Sequence, residues 1–271
     1  MKDRHLERFY EAWSGKPPAA VRYDIESAVR KADVLTSEIP ERYFSSIRTV
    51  LDFGCGYGAF LRRFQERLKG QIEIAVGVDY SQAAIDVACQ GLDSSTLSYR
   101  KLPYLNALDN ENYLMSLLPD GVDAVLLIDL LEHVPDCKAM VATLSRFARC
   151  FVIKLPIESS VLDNYVLPKE YPGSTHGNGH LREFDVNTVH YFIRSVGLTP
   201  LYEGLYIYHL DDSFPPLPAV ATTRQRVSRL LIKGFKSVCS HLLPTKAYLR
   251  LVGGGGYICI ATYCGDHVLN P

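Results

Sequence analysis

The chain has 271 residues and a formal net charge of −1, so its overall charge does not favour nucleic acid, whose binding relies on clustered Lys and Arg. Apolar residues make up 47% and charged residues 22%, as in a soluble globular protein that can bury a large core. The seven cysteines form no CxxC pair, which argues against a zinc site or a disulfide framework.

The N-terminal residues MKDRHLERFYEAW are charged throughout and lack the apolar core of a signal peptide. No apolar run approaches the roughly 20 residues of a membrane-spanning helix. We therefore expect a cytoplasmic protein without stable membrane insertion. Residues 1–46 are predicted to form a helical cap that is broken at Pro17 and Pro18.

From residue 47 onward, short apolar strands alternate with helices. The pattern predicts strands at 49–52, 72–78, 97–102, 123–128 and 150–155, with helices at 59–68, 81–88 and 136–148. Ser81 is a plausible N-cap for the second of these helices. The alternation implies a parallel sheet with right-handed crossovers.

The regular alternation of strands and helices stops after Pro156. Residues 156–183 form a long connection containing HGNGH, and its length predicts a lid loop over a substrate. A helix at 186–196 ends at Gly197, and strands at 201–209 and 257–263 follow. Between these last strands, residues 211–256 are predicted to be a helical insertion.

A glycine-rich turn, VLDFGCGYGAF at residues 50–60, is the strongest signal in the chain. Gly54, Gly56 and Gly58 stand where a strand gives way to a helix, so the backbone can turn tightly and approach a ligand. The G-x-G-x-x-A spacing ending at Ala59 also matches a dinucleotide fingerprint. The turn alone leaves open a nicotinamide cofactor, another nucleoside or a purely structural role.

Two carboxylates bear on which ligand the glycine-rich turn would bind. Asp52 stands two residues before Gly54, where it would repel a pyrophosphate but favour the ammonium and sulfonium of S-adenosylmethionine. Asp79 ends the next strand, about 20 residues past the glycines, where an acidic side chain can accept both ribose hydroxyls. The ribose contact is shared by both cofactor classes, and such an Asp can instead cap the following helix.

These segments resemble the class I S-adenosylmethionine-dependent methyltransferases. Residues 50–60 are similar to the first signature of that family, VGVDYS at 76–81 to the second, and DAVLLIDLLEHVPD at 123–136 to the fourth-strand signature. The resemblance covers roughly residues 45–210 and returns near 257. It implies an α/β fold, a doubly wound, mostly parallel seven-stranded sheet, with residues 47–271 as the methyltransferase domain.

The resemblance also implies roles for individual residues. It assigns the methionine end of the cofactor to Asp52, Gly54, Gly56 and Gly58, the ribose to Asp79, the adenine ring to Tyr80, and the reacting side to Asp129 and Leu130. The adenine amine would be bound from KLPYLNALDN, by Asn106 or Asp109. The product would be S-adenosylhomocysteine.

Three histidines are candidates for catalysis, because a hydroxyl acceptor needs a general base. His133 follows the fourth strand at the rim of the cofactor cleft, and His176 and His180 lie in the predicted lid loop. Each can alternatively be structural or merely solvated. Their spacing matches no compact ligand motif, so we expect no metal site.

The segment 224–250 combines apolar residues at helical spacing with Arg and Lys. Such a helix can pack on its own domain as a lid or contribute to a homodimer interface. It can also make peripheral contact with an anionic membrane through residues 224–243. Membrane contact would favour a lipid or quinone acceptor.

The sequence therefore predicts transfer of a methyl group from S-adenosylmethionine to an O or N atom of a small-molecule acceptor, in a biosynthetic pathway, without nucleic acid as a partner. Two alternatives are a NAD-dependent oxidoreductase on a related fold and a non-catalytic, methyltransferase-like scaffold subunit. Asp52 argues against the first, and the intact glycine turn argues against the second.

Overall fold

The computed structural model describes residues 16–68, 70–90, 92, 95–103, 108–162, 180–208 and 223–264. The strands within these ranges are β1 Thr49–Phe53, β2 Ile74–Asp79, β3 Leu97–Lys101, β4 Val122–Ile128, β5 Ala148–Ile157, β6 Leu198–Ile207 and β7 Gly255–Tyr263. The helices are α1 Pro18–Glu38, α2 Ala59–Arg67, α3 Gln82–Ala88, α4 Glu111–Leu117, α5 Cys137–Leu144, α6 Val189–Ser195, α7 Thr223–Leu242 and α8 Thr245–Leu251.

The strands form one seven-stranded sheet in the order β3-β2-β1-β4-β5-β7-β6. Neighbouring strands from β3 to β5 run parallel, and β7 lies antiparallel between β5 and β6. The predicted α/β fold with a mostly parallel seven-stranded sheet is confirmed. The strand order reverses between β1 and β4, and in open α/β sheets ligands bind outside the carboxyl ends of the strands at such a switch point.

Apolar side chains cover both faces of the sheet. One layer joins α1, α2 and α3 to the sheet, and the other joins α4, α5, α6 and α8. The central strand β4 is buried on both sides, because residues 124–127 are all 0% exposed. This burial explains why β4 reads as a continuous apolar run rather than as an alternating one.

The glycine turn connects β1 to α2. Gly54, Gly56 and Gly58 have φ values of 86°, 52° and 72°, a region that side chains with a Cβ rarely adopt. Gly58 is the N-cap of α2, and its carbonyl accepts a 2.7 Å hydrogen bond from the Tyr99 hydroxyl. A Cβ at Gly58 would lie 2.5 Å from the Tyr99 ring, so the contact also requires glycine.

Several boundaries differ from the predicted ones. The helix predicted at 136–148 ends at Leu144, because Ala148 already pairs with Val122 as the first residue of β5. Helix α4 was not predicted, and α7 and α8 lie within the segment predicted as a helical insertion. Within the predicted helical cap, α1 begins at Pro18, the position of the predicted proline break. Residues 163–179 of the predicted lid loop and 211–222 of the predicted insertion lie outside the described residues.

Candidate active site

A cleft of about 340 Å³ opens at the carboxyl ends of β1 and β4. The glycine turn forms one wall, and residues of α1 form another. The ends of β4 and β5, together with His180, complete the lining. The cleft therefore lies at the switch point where the sheet topology favours ligand binding.

Asp79 holds the glycine turn in place. Its two carboxylate oxygens accept hydrogen bonds from the backbone N–H groups of Gly56 and Ser81, each at 2.8 Å. Burial raises the pKa of Asp79, and these N–H donors oppose the rise by stabilising the carboxylate. The Ser81 hydroxyl accepts from the Ala84 N–H at 3.3 Å, so the predicted N-cap is confirmed.

Asp52 faces the same cleft from the end of β1, and it is only 2% exposed. Burial, and then the nearby charge of Asp79, raise the pKa of Asp52 to about 8. At neutral pH the carboxyl group is therefore mostly protonated. A cation bound beside it would favour the ionised form and lower that pKa.

Binding of S-adenosylhomocysteine, which carries an ammonium group, should therefore release up to about one proton from Asp52 at pH 7. The measurement is calorimetric titration at pH 7 in buffers with different ionisation enthalpies. Asp52→Asn should remove most of the buffer dependence, because its side chain has no proton to lose in this range. Equal proton release from both proteins would show that another group titrates.

Asp129 directly follows β4 and has a φ of 49°, a left-handed backbone conformation that is uncommon outside glycine. Its carboxylate forms ion pairs with Lys154, on β5, and with Lys31, on α1, the latter at 2.8 Å. Burial alone would raise the pKa of Asp129, but the two ammonium groups hold it below its usual value. The Lys31 contact links α1 to the end of β4.

A cluster of titratable side chains lies beside this ion pair. His180 is 7% exposed, and its Nδ1 lies 2.7 Å from a carboxylate oxygen of Glu158. The His133 ring stands edge-on to the His180 ring, with centroids 4.7 Å apart. Glu132 is completely buried, and neither of its carboxylate oxygens has a hydrogen-bond partner among the described residues. Burial, reinforced by the charge of Asp129, raises the pKa of Glu132.

The structure places the sequence-predicted residues as follows. Asp52, Gly54, Gly56 and Asp129 line the cleft, and Asp79 stands behind the turn. Leu130 packs against Gly54, where an added Cβ would lie 3.0 Å from a Leu130 methyl. Tyr80 is half-buried just after Asp79, and Asp109 is exposed in a short 3-10 turn. Asn106 and His176 lie outside the described residues. The cofactor and catalytic roles of all these residues stay predictions.

Sequence reasoning missed five charged residues at the cleft, namely Asp24, Lys31, Glu132, Lys154 and Glu158. Two of them carried a signal, since Lys154 is a lone cation in the apolar strand CFVIKLPI and Glu132 directly follows an apolar run. The histidine spacing predicted no ligand set. The fold nevertheless brings ligating atoms of Glu132, His133 and His180 within 4.8 Å of one another.

Part of the chain is similar to known methyltransferases. Residues 51–150 match the family model described as a methyltransferase domain. A ubiquinone biosynthesis O-methyltransferase of Hahella chejuensis (strain KCTC 2396) is 31% identical over 113 residues. That alignment spans 41% of this chain and 43% of the relative, so less than half of each protein is matched.

Solved structures share the fold over nearly the whole chain. A chain in the complex between the Haloferax volcanii Trm112 methyltransferase activator and a putative methyltransferase has a TM-score of 0.56 and 15% identity, and the match covers 94% of this chain and 97% of that one. The magnesium protoporphyrin IX methyltransferase ChlM from Synechocystis PCC 6803, solved with S-adenosylhomocysteine bound, has a TM-score of 0.51 and 13% identity, with 97% and 95% covered.

The family match covers the glycine turn, Asp79 and β4, and the sheet has the strand order described above. The cleft fits the cofactor of this family, because an added Cβ at Gly56 would meet no atom within 4 Å and Asp52 offers a buried carboxyl group to a cation. Residues 51–150 therefore match a methyltransferase domain, and the cleft fits S-adenosylmethionine as its cofactor.

Proposed function

We propose that this protein transfers the methyl group of S-adenosylmethionine to a hydroxyl oxygen of a small-molecule acceptor. The observation that carries the proposal is the buried His180–Glu158 pair, which lines the same cleft as the glycine turn. A hydroxyl is a weak nucleophile until it loses its proton, and a positioned imidazole is the usual group for activating it. A neutral amine has no such need, so the pair favours oxygen over nitrogen as the acceptor atom.

The residues of the cleft would share the binding of the cofactor. The glycine turn would lie against its methionine end, with Asp52 beside the ammonium group and Asp79 bracing the turn and reaching the ribose. S-adenosylmethionine supplies a methyl group that is already activated by the sulfonium. The protein's contribution is then to align the acceptor oxygen with that methyl group and to exclude water.

Glu158 would fix the orientation of the acceptor-activating imidazole. Its carboxylate lies on Nδ1 of His180, so the acceptor proton would be taken up at Nε2, the other ring nitrogen. A carboxylate in this position stabilises one tautomer and the positive charge that develops as the ring takes up a proton. The relative from Hahella chejuensis is named as an O-methyltransferase, which supports an oxygen acceptor.

Calorimetric titration with S-adenosylhomocysteine, with NADH in parallel, tests the cofactor. We expect micromolar binding of the first ligand alone; binding of NADH alone would support the oxidoreductase alternative. Methyl transfer from labelled S-adenosylmethionine to a panel of phenols, catechols and amines then tests the chemistry. O-methylated products would support the proposal. Binding of the cofactor without any product across the panel would favour the scaffold alternative, and N-methylated products alone would overturn the oxygen acceptor.

The surface of helix α7 bears on the chemical class of the acceptor. None of the described helices is long and apolar enough to cross a membrane. The sequence of α7 contains no acidic residue, and large apolar side chains 50–75% exposed form a stripe along one side: Val227, Leu230, Leu231, Phe235, Val238 and Leu242. The described part of the chain does not cover this stripe. We propose that it lies on an anionic lipid surface and that the acceptor is lipid-soluble.

The α7 proposal predicts salt-sensitive flotation with anionic vesicles. The wild-type protein should float with phosphatidylcholine–phosphatidylglycerol vesicles, less so at high salt and with phosphatidylcholine alone. Leu230→Glu should reduce partitioning at least about tenfold, because it removes buried apolar area and adds a repelled charge. Met115→Glu, at an exposed apolar site on α4, is the matched control. Membrane contact would be contradicted if Leu230→Glu floated like the wild type. It would also be contradicted if the substitution dissociated a homodimer and left flotation unchanged.

A further inference from the structure

Three side chains with metal-ligating atoms meet on one wall of the cleft. Glu132 and His133 follow β4 directly, and His180 comes from a segment that is distant in the sequence. One ligating atom of each lies within 4.8 Å of the other two. Bound divalent ions hold their ligands about 2.0–2.2 Å from the metal, so small side-chain rotations would complete the approach.

The backbone fixes this arrangement independently of any ligand. The Leu181 N–H donates to the Glu132 carbonyl at 2.7 Å. The Arg182 guanidinium donates to the carbonyl of Val134 at 2.7 Å and to that of Pro135 at 3.1 Å, and it also contacts the Leu131 carbonyl. The segment that carries His180 is therefore pinned onto the turn that carries Glu132 and His133.

The Glu132 carboxyl group lacks a compensating contact. It is 0% exposed, and no hydrogen bond to either oxygen is formed among the described residues. A buried polar group in this condition costs stability, and native proteins nearly always satisfy such groups with a hydrogen bond, water or an ion. The nearest cation pair, Lys154 and Lys31, is engaged by Asp129. A bound cation would supply what Glu132 lacks.

Glu158 stands where a carboxylate commonly supports a metal-binding histidine without contacting the metal. A histidine that binds a metal through one ring nitrogen usually donates its other N–H to a carboxylate, which fixes the ring and raises its basicity. Glu158 makes that contact with Nδ1 of His180 at 2.7 Å. A metal would then be bound through Nε2, the other ring nitrogen.

We propose that Glu132, His133 and His180 bind one divalent transition-metal ion beside the methyl-donor cleft. Two imidazoles and one carboxylate are a ligand set that suits Zn²⁺, Mn²⁺ or Fe²⁺, and three protein ligands leave a coordination position open. Glu132 and His180 line the cleft, so the open position is within reach of an acceptor.

The role of the ion rests on the proposed O-methylation. With the ion bound, His180 would activate the hydroxyl through the metal instead of taking up its proton. A hydroxyl that occupies the open position becomes more acidic, as water does on catalytic zinc. Its O–H bond breaks and the proton passes to solvent. The oxygen lone pair then forms the bond to the methyl carbon as the carbon–sulfur bond breaks, and a neutral thioether leaves. No oxidant or reductant is consumed.

Metal binding can be measured without activity. Chelator-treated protein is titrated calorimetrically with Zn²⁺ and, separately, with Mn²⁺, and the metal content is determined after gel filtration. We expect one equivalent for at least one of the two ions. Glu132→Gln, which keeps the shape of the side chain, and His133→Ala should each weaken binding at least tenfold, and Glu158→Gln should weaken it about 10–100-fold.

The controls separate this inference from the proposed function. His190→Ala, on the surface helix α6, should bind the ion as the wild type does. Each variant is also titrated with S-adenosylhomocysteine, which shows that it is folded. Binding of S-adenosylhomocysteine without a stoichiometric ion, or unchanged ion affinity in Glu132→Gln, would overturn the metal site and leave the methyltransferase intact. Ion binding without S-adenosylhomocysteine binding would overturn the proposed function instead.

Discussion

Asp79→Ala should lower the affinity for S-adenosylhomocysteine at least about 100-fold. The carboxylate accepts hydrogen bonds from the backbone of Gly56 and of Ser81, and each charge-assisted bond of this kind contributes about 1.5–3 kcal/mol. Without them the glycine turn loses its brace at the point where the ligand lies, and the contact proposed for the ribose is lost as well. Calorimetric titration with S-adenosylhomocysteine measures the effect.

Asp86→Ala is the matched control for this variant. Asp86 is exposed on α3, where it accepts a hydrogen bond from Gln82 at 2.6 Å, and it lies outside the cleft. Its replacement should leave the affinity unchanged. An Asp79→Ala protein with a native circular dichroism spectrum that binds within threefold of the wild type would refute the role assigned to this carboxylate.

His180→Ala should reduce turnover about 10²–10⁴-fold, the range for loss of a positioned acid–base group. Affinity for S-adenosylhomocysteine should stay close to wild type, because His180 is not among the residues assigned to cofactor binding. Comparing kcat with the dissociation constant of S-adenosylhomocysteine therefore separates activation of the acceptor from cofactor binding.

Two further variants sharpen the His180 result. Glu158→Gln removes the charge that orients the imidazole and should cause a smaller loss of kcat. His190→Ala removes a half-exposed imidazole that packs against the Tyr191 ring, with ring centroids 4.0 Å apart, and should leave kcat unchanged. Full activity of His180→Ala on a hydroxyl acceptor would eliminate the proposed activation.

The central sheet and the cofactor side were predictable from sequence because local chemistry determines them. The turn with Gly54, Gly56 and Gly58 needs positive φ values, and its glycines indicate that conformation. The unbroken apolar run of β4 indicates a strand that is buried on both faces. Ser81 likewise marks the start of α3. In each case the signal and its structural cause lie within a few neighbouring residues.

The acceptor side was harder to predict because it is assembled by distant contacts. Lys154 and Lys31 converge on Asp129 only once β5 and α1 are in place. Glu132 and His180 are neighbours only through the contacts of residues 181 and 182 with the turn after β4. No spacing in the sequence encodes such proximity, so the histidine pattern gave no indication of the cluster.

The position of β7 has a consequence for folding order. Its nine residues, Gly255–Tyr263, occupy the gap between β5 and β6, and they supply the pairing partner for both. During synthesis, β5 and β6 emerge from the ribosome well before β7 and present open edges until it arrives. Such edges are templates for pairing with other chains. The nascent chain should therefore pass through an aggregation-prone interval, and release of a chain that ends before Gly255 would make that interval permanent.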